Sequence, residues 1–208
     1  MGIGTKRLRP RKTPVQARSV ETRDRILDSA ARVFSAHGYA AGTTNRIAAE
    51  AGLSVGSLYQ YFPNKDAVLV ELVRRHVADG TRHLVDALGA GAPGSLEDWV
   101  GLLVDAMIAN HRDDPGLHQV LFEEAPRPPE LLAELHGLED RAVVVVAGIL
   151  RSLPEVRVDD IDTAARFVVV TVESLVHRVV ATRDPALDVA TFRDELVTML
   201  VRYLTSPR

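Results

Sequence analysis

Apolar residues recur along most of this 208-residue chain at three- and four-residue intervals, the signature of helices that bury one face. Ile26, Leu27, Ala30, Val33 and Phe34 define a first helix from about Val20 to His37, ended by Gly38. A second stripe, Val68, Leu69, Leu72, Val73 and Val77, opens a helix predicted from Asn64 to about Leu88, with Gly80 as a point of bending. Beyond a Gly/Pro loop at Gly89–Gly94, the pattern predicts helices at Ser95–His111, Gly116–Glu124, Pro129–Leu153, Asp159–Thr182 and Asp188–Thr205. Val143–Val146 and Phe167–Val172 are β-branched runs that favour strands by propensity. Each sits inside an apolar pattern of more than 20 residues without a turn signal, too long for a strand, so both are read as helix. The expected fold is all-α.

Between the first two stripes lies Thr43 to Lys65, TTNRIAAEAGLSVGSLYQYFPNK. Thr43 caps a short helix whose apolar face is Ile47, Ala48 and Ala51, and Gly52 supplies the left-handed residue that ends it. Ser54 caps a second short helix with Leu58 and Phe62 pointing inward. Pro63 stops that helix, and Asn64 caps the next, with Asp66 in its first turn. Two short helices joined by a tight glycine turn read as a helix-turn-helix, whose second helix would enter the DNA major groove.

With Leu58 as the inward direction, Gly56, Ser57, Tyr59 and Gln60 face away from the core, flanked by Val55 and Tyr61. Ser57 and Gln60 suit base edges, Val55 a thymine methyl, and the tyrosine hydroxyls phosphates. Gly56 lets backbone approach another surface closely. Lys65, poorly placed for the helix dipole, would be explained by a nearby phosphate. The expected DNA-facing set is Thr43, Thr44, Asn45, Arg46, Ser54, Val55, Gly56, Ser57, Tyr59, Gln60, Tyr61 and Lys65.

The run from Arg25 to Val73, with ILDSAARVFSAHGY and then TTNRIAAEAGLSVGSLYQYFPNKDAVL, resembles the DNA-binding domain of the TetR/AcrR family of transcriptional regulators. It departs from that family at Arg46, where an acidic residue often completes a capping box with Thr43. The resemblance implies that the first helix packs behind the other two, its opening turn near phosphate at Arg23 or Arg25. It also implies that the last two helices form a four-helix dimer interface, and that a small ligand binds among the intervening helices. Residue by residue, the stripe Phe192, Leu196, Val197, Leu200, Val201 and Leu204 reads equally as monomer core.

Charge sharpens this division. The net charge of −3 hides a first 75 residues with 13 Lys and Arg against 6 Asp and Glu, leaving 12 against 22 for the rest. A basic end joined to an acidic remainder suggests a polyanion-binding domain carried by a domain with another task. Residues 1–18, with six Lys/Arg and no acid, are expected to be a flexible basic arm, serving either DNA contact or solubility. The expected domains are then 19–66, the helix-turn-helix unit, and 67–208, for ligand binding and dimerisation, linked by the helix that starts at Asn64. No cysteine is present, no apolar run is long enough to span a membrane, and no apolar segment follows the basic N-terminus as a signal peptide requires. A cytoplasmic location is expected.

The candidate ligand residues are Trp99, Met107, His111, His118, Phe122, Phe167, Glu173 and His177, aromatics and Met lining a pocket and a few polar groups orienting its occupant. Glu173 and His177 lie at i, i+4 on the most apolar helix; a buried pair there would satisfy each other or a subunit neighbour, contact a ligand, or help bind a metal. The scattered histidines include no H-x-x-x-H pair, and no catalytic constellation or phosphate loop is recognisable, so neither metal, cofactor nor enzymatic activity is expected. The expected function is a homodimeric regulator of double-stranded operator DNA, a repressor released by a small-molecule effector. The alternatives are a ligand-independent architectural DNA-binding protein and an activator.

Overall fold

The computed structural model describes residues 17–89, 93–112, 117–118, 120–124, 126–181 and 187–206. The basic arm up to residue 16, the middle of the Gly89–Gly94 loop, the helix start expected at Gly116, Thr182 and the Phe122 side chain lie outside the described residues. Every described element is helical. They form two compact units, one drawn from residues up to Val77 together with those between Leu117 and Glu130, the other from Ala78–Arg112 and from Leu131 onward. The expected boundary at residue 66 thus lies one helical stretch earlier than the division by packing, and the segment before Glu130 returns to the first unit.

In the first unit, α1 (Ala17–Ala41) begins earlier than its apolar stripe suggested and is broken at Gly38, whose φ of 71° and ψ of 171° leave helical space. α2 (Thr44–Glu50) is capped by Thr43, whose hydroxyl accepts from the Arg46 N–H at 3.3 Å. Gly52, at φ 62°, makes the left-handed turn. α3 (Val55–Tyr61) is capped by Ser54, which accepts from the Ser57 N–H at 3.1 Å. Asn64 accepts from the Ala67 N–H at 2.8 Å to open α4 (Lys65–Gly89).

Helices of seven residues are unstable alone in water. α2 and α3 persist because Ile47, Ala48, Leu58 and the following Phe62 are buried together with Ile26, Leu27 and Phe34 of α1 and Leu69 and Leu72 of α4. Ion pairs join α1 to α4 at the edge of this core, Arg23 to Glu71 and Arg75 to Asp28. The Arg23 guanidinium also lies 5.9 Å from the Phe62 ring centroid. That gives Arg23 an intramolecular role; Arg25 is exposed.

The second unit comprises the later part of α4, then α5 (Leu96–Arg112), α6 (Pro129–Ser152), α7 (Ile161–Val176) with a π-helical turn His177–Ala181, and α8 (Val189–Thr205). Ser95, Asp160 and Asp188 cap α5, α7 and α8. Val104, Ala147, Ala164, Val168, Val172, Leu196, Leu200 and Leu204 make its core. Both β-branched runs are helical, as their long flanks required. Arg193 of α8 grips Asp105 of α5 through two hydrogen bonds of 2.9 Å, and Gly101 leaves the space, since a Cβ there would lie 2.9 Å from the guanidinium.

In the single chain the outer face of α7 carries Phe167, 50 % exposed, and Val170, 40 % exposed. Gly80 lies within α4, where a Cβ would sit 2.8 Å from Asn110 Nδ2. Leu200 is fully buried in the core of its own chain, so its stripe faces inward and the outer face of α8 carries Met199 instead.

Candidate nucleic-acid interface

α3 presents to solvent the residues its periodicity put there. Tyr59 and Gln60 are exposed, Val55, Ser57 and Tyr61 half-buried. A Cβ at Gly56 would meet only Ser54 Oγ, at 3.9 Å, so nothing within the described residues demands glycine there. The cap also ties α3 to itself through Ser54 Oγ and Ser57 Oγ at 2.8 Å, which occupies part of the hydroxyl's capacity to meet a base. Tyr59 and Thr44 hydroxyls lie 3.3 Å apart, tying α3 to the start of α2. Thr43, Asn45 and Arg46 are exposed beside them. Except for Lys65, the expected DNA-facing residues lie on α2, on α3 or at their caps.

Lys65 has an unforeseen task. Its ammonium donates to the Tyr39 carbonyl at 2.7 Å and the Ala40 carbonyl at 3.4 Å, and lies 3.9 Å from the Tyr39 ring centroid. Its place in the first turn of α4 is explained by the carbonyls at the end of α1. Tyr39, missing from the sequence-derived set, is the hub of this corner. Its hydroxyl donates to Asp66, and its N–H donates to Glu124 Oε2 at 2.9 Å. Burial and the Asp66 carboxylate hold its phenol well above the ordinary range, so it stays a donor. The only sequence signal was its place after Gly38 in the matching run.

The eight candidate ligand residues fall in both units. His118 and Phe122 belong to the first unit, where His118 is buried edge-on against His76 at 4.2 Å between ring centroids. In the second unit, Trp99 and Met107 are half-buried on α5, while Phe167 faces outward against Tyr203 at 5.0 Å. Glu173 is exposed in the single chain, and the His177 ring lies 5.9 Å from that of His111. An open depression of about 670 Å³ lies among α4, α5 and α8, lined by His83, Gly101, Asp105 and Arg193 among others and by none of the eight.

His111 is only 4 % exposed, and its Nδ1–H donates to the Met107 carbonyl at 2.8 Å. Burial pushes the imidazole down to about 4, with a lesser push from His177 and the carbonyl acting oppositely. The unfolded chain takes up this proton near 6.5, the folded chain only near 4, so stability is lost as pH falls between them and is unaffected above. Between pH 7.5 and pH 5 the parent should lose about 2 kcal/mol more than His111→Phe in urea unfolding. Equal losses would remove His111 from the acid sensitivity.

Two family models match the chain in order. Residues 26–72 match the family model for bacterial regulatory proteins of the tetR family, and residues 95–204 match the tetracyclin repressor-like C-terminal domain. An uncharacterized HTH-type transcriptional regulator of Mycobacterium tuberculosis is 31% identical over 174 residues, 83% of this chain and 80% of that one. The HTH-type transcriptional repressor KstR2 of Rhodococcus jostii is 34% identical over 91 residues, 43% of this chain and 45% of that one. Among solved structures, the transcriptional regulator FadR from Bacillus subtilis, in complex with stearoyl-CoA, superposes with a TM-score of 0.67 at 22% identity, covering 86% of this chain and 97% of that one. With α2 and α3 forming its helix-turn-helix and both family models matched in order, this chain belongs to the TetR family of DNA-binding transcriptional regulators.

Proposed function

We propose that the protein is a homodimeric repressor that reads an operator with α3 and leaves it when a small, partly apolar molecule binds. The observation that carries this reading is Gly56. It sits in the second position of a seven-residue helix, where glycine is a poorer helix former than alanine, and no neighbour among the described residues requires it. A surface outside the chain that approaches the α3 backbone supplies the missing reason. The basic balance of the first 75 residues gives that surface its sign, a polyanion. Gln60 is the principal base reader, with Ser57, Val55 and Tyr59 beside it. Thr43, Thr44, Asn45, Arg46, Ser54, Tyr61 and Lys65 are placed for phosphates. Lys65 has three donors, so its carbonyl contacts still leave capacity for one.

A second copy of the chain covers the outer face of α7 and α8, where Phe167, Val170 and Met199 (44 % exposed) are large apolar groups in water. Two recognition helices held by a two-fold axis then read two half-sites. The effector enters the second unit near α5 and α7, where Trp99, Met107, His111 and His177 offer an apolar lining with polar ends. The family's named repressors, and a FadR structure that holds stearoyl-CoA, support this reading. The effector must prefer the DNA-free shape, and couplings of about 1–3 kcal/mol would weaken operator binding roughly 5–150-fold. No described helix is long and apolar enough to cross a membrane; we place the regulator in the cytoplasm with its DNA.

Gly56→Ala should raise unfolding stability by about 0.5–1 kcal/mol while weakening binding to duplex DNA. Gln60→Ala should change base preference at one position, by about 1–3 kcal/mol of discrimination. Tighter or unchanged DNA binding by the stabilised Gly56→Ala, with an unaltered Gln60→Ala preference, would show that α3 is not the reading helix.

Phe167→Glu should leave each chain folded, because the side chain already meets water, yet separate the dimer and lower operator affinity. Sedimentation that finds a folded Phe167→Glu protein still dimeric would move the interface elsewhere.

A further inference from the structure

The hub at Tyr39 has one partner from far along the chain. Lys65 and Asp66 hold its carbonyl, ring and hydroxyl from the start of α4. Its N–H is held by Glu124, 85 residues away, at the end of a π-helical turn Val120–Glu124 that packs on α1 within the same unit. Gly38 makes the approach possible. Its positive φ breaks α1, and a Cβ there would lie only 3.0 Å from Glu124 Oε2.

The corner that this bond fixes leads directly to the reading helix. Gly42 N–H donates to the Gly38 carbonyl at 3.0 Å, and a Cβ on Gly42 would collide with the Phe34 ring at 2.3 Å. Thr43 then caps α2, and Thr44 meets Tyr59 of α3. Tyr39, held at its N–H by Glu124 and at its carbonyl by Lys65, thus lies at the corner from which α2 starts, and α2 in turn meets α3. Glu124 also lies inside the stretch matched by the C-terminal family model, although by packing it belongs to the DNA-binding unit.

We propose that Glu124 is a positioning residue for DNA reading: by accepting from the Tyr39 N–H it holds the Gly38–Gly42 corner from which α2 and α3 are hung. The inference rests on the DNA-binding reading above. It has a sign that charge alone does not give. Removing an exposed carboxylate from a DNA-binding unit should, by electrostatics, tighten binding to a polyanion. Removing a positioning bond weakens it, because the corner must then be ordered when DNA binds.

The test uses the full chain and a duplex that the parent protein enriches from a random pool. Glu124→Ala should bind that duplex about fivefold more weakly, the scale of one lost hydrogen bond, while Glu124→Gln, whose amide oxygen still accepts from Tyr39, stays within about twofold of the parent. Glu130→Ala, an acid removed nearby without touching Tyr39, should bind as well as the parent or better. Amide exchange at Tyr39 should quicken in Glu124→Ala and not in Glu124→Gln. The role of Glu124 is overturned if Glu124→Ala binds as tightly as the parent or more tightly, or if Glu124→Gln is as weak as Glu124→Ala. A parent that enriches no duplex would overturn the DNA-binding reading itself, a different failure from equal affinities among the variants.

Discussion

The DNA-reading half of this protein depends on the burial of four side chains, Phe34, Ile47, Leu58 and Phe62, at one point. Neither α2 nor α3 has the length to hold its own hydrogen-bond ladder against water. Each contributes a turn or two of apolar surface, and α1 and α4 provide the surface that receives it. The caps at Thr43, Ser54 and Asn64 then satisfy free N–H groups, so the short helices start where the core needs them. Because inward positions are spent on that core, the outward face of α3 is free to be chosen for another surface. Gly56, Tyr59 and Gln60 lie on that outward face.

The corner between α1 and α2 is built on a different principle. Little of it is apolar burial; it is a chain of polar contacts around Tyr39, made possible by two glycines with unlike reasons. Gly38 is needed for its backbone angle and Gly42 for the space beside Phe34. Such contacts are individually modest, of order 1 kcal/mol. Their effect is on where a helix points more than on whether the domain folds. Under the proposal for Glu124, that separation of stability from geometry would let residues outside the helix-turn-helix influence how DNA is read.

Much of this was legible in the sequence because it is local. Caps act over three residues, a left-handed glycine over one, and a helical stripe over two or three turns, so Thr43, Gly52, Ser54, Leu58 and Asn64 could all be assigned in advance. Periodicity names a face but not its neighbour, which is why Leu200 suited a subunit interface as well as a core. Lys65 and Glu124 meet Tyr39 across 26 and 85 residues, and no local pattern encodes such contacts. The proposed ligand residues lie on several helices, and local spacing does not say how those helices meet.

The central claim is that this chain recognises a particular DNA sequence as a symmetric dimer. The most direct test is enrichment of binding sites from a pool of random duplexes at several salt concentrations. The account predicts one enriched motif with two-fold symmetry, its half-site centres about 10–10.5 base pairs apart or a multiple of that spacing. Binding that weakens with salt but enriches no sequence, or a motif lacking symmetry, would contradict it.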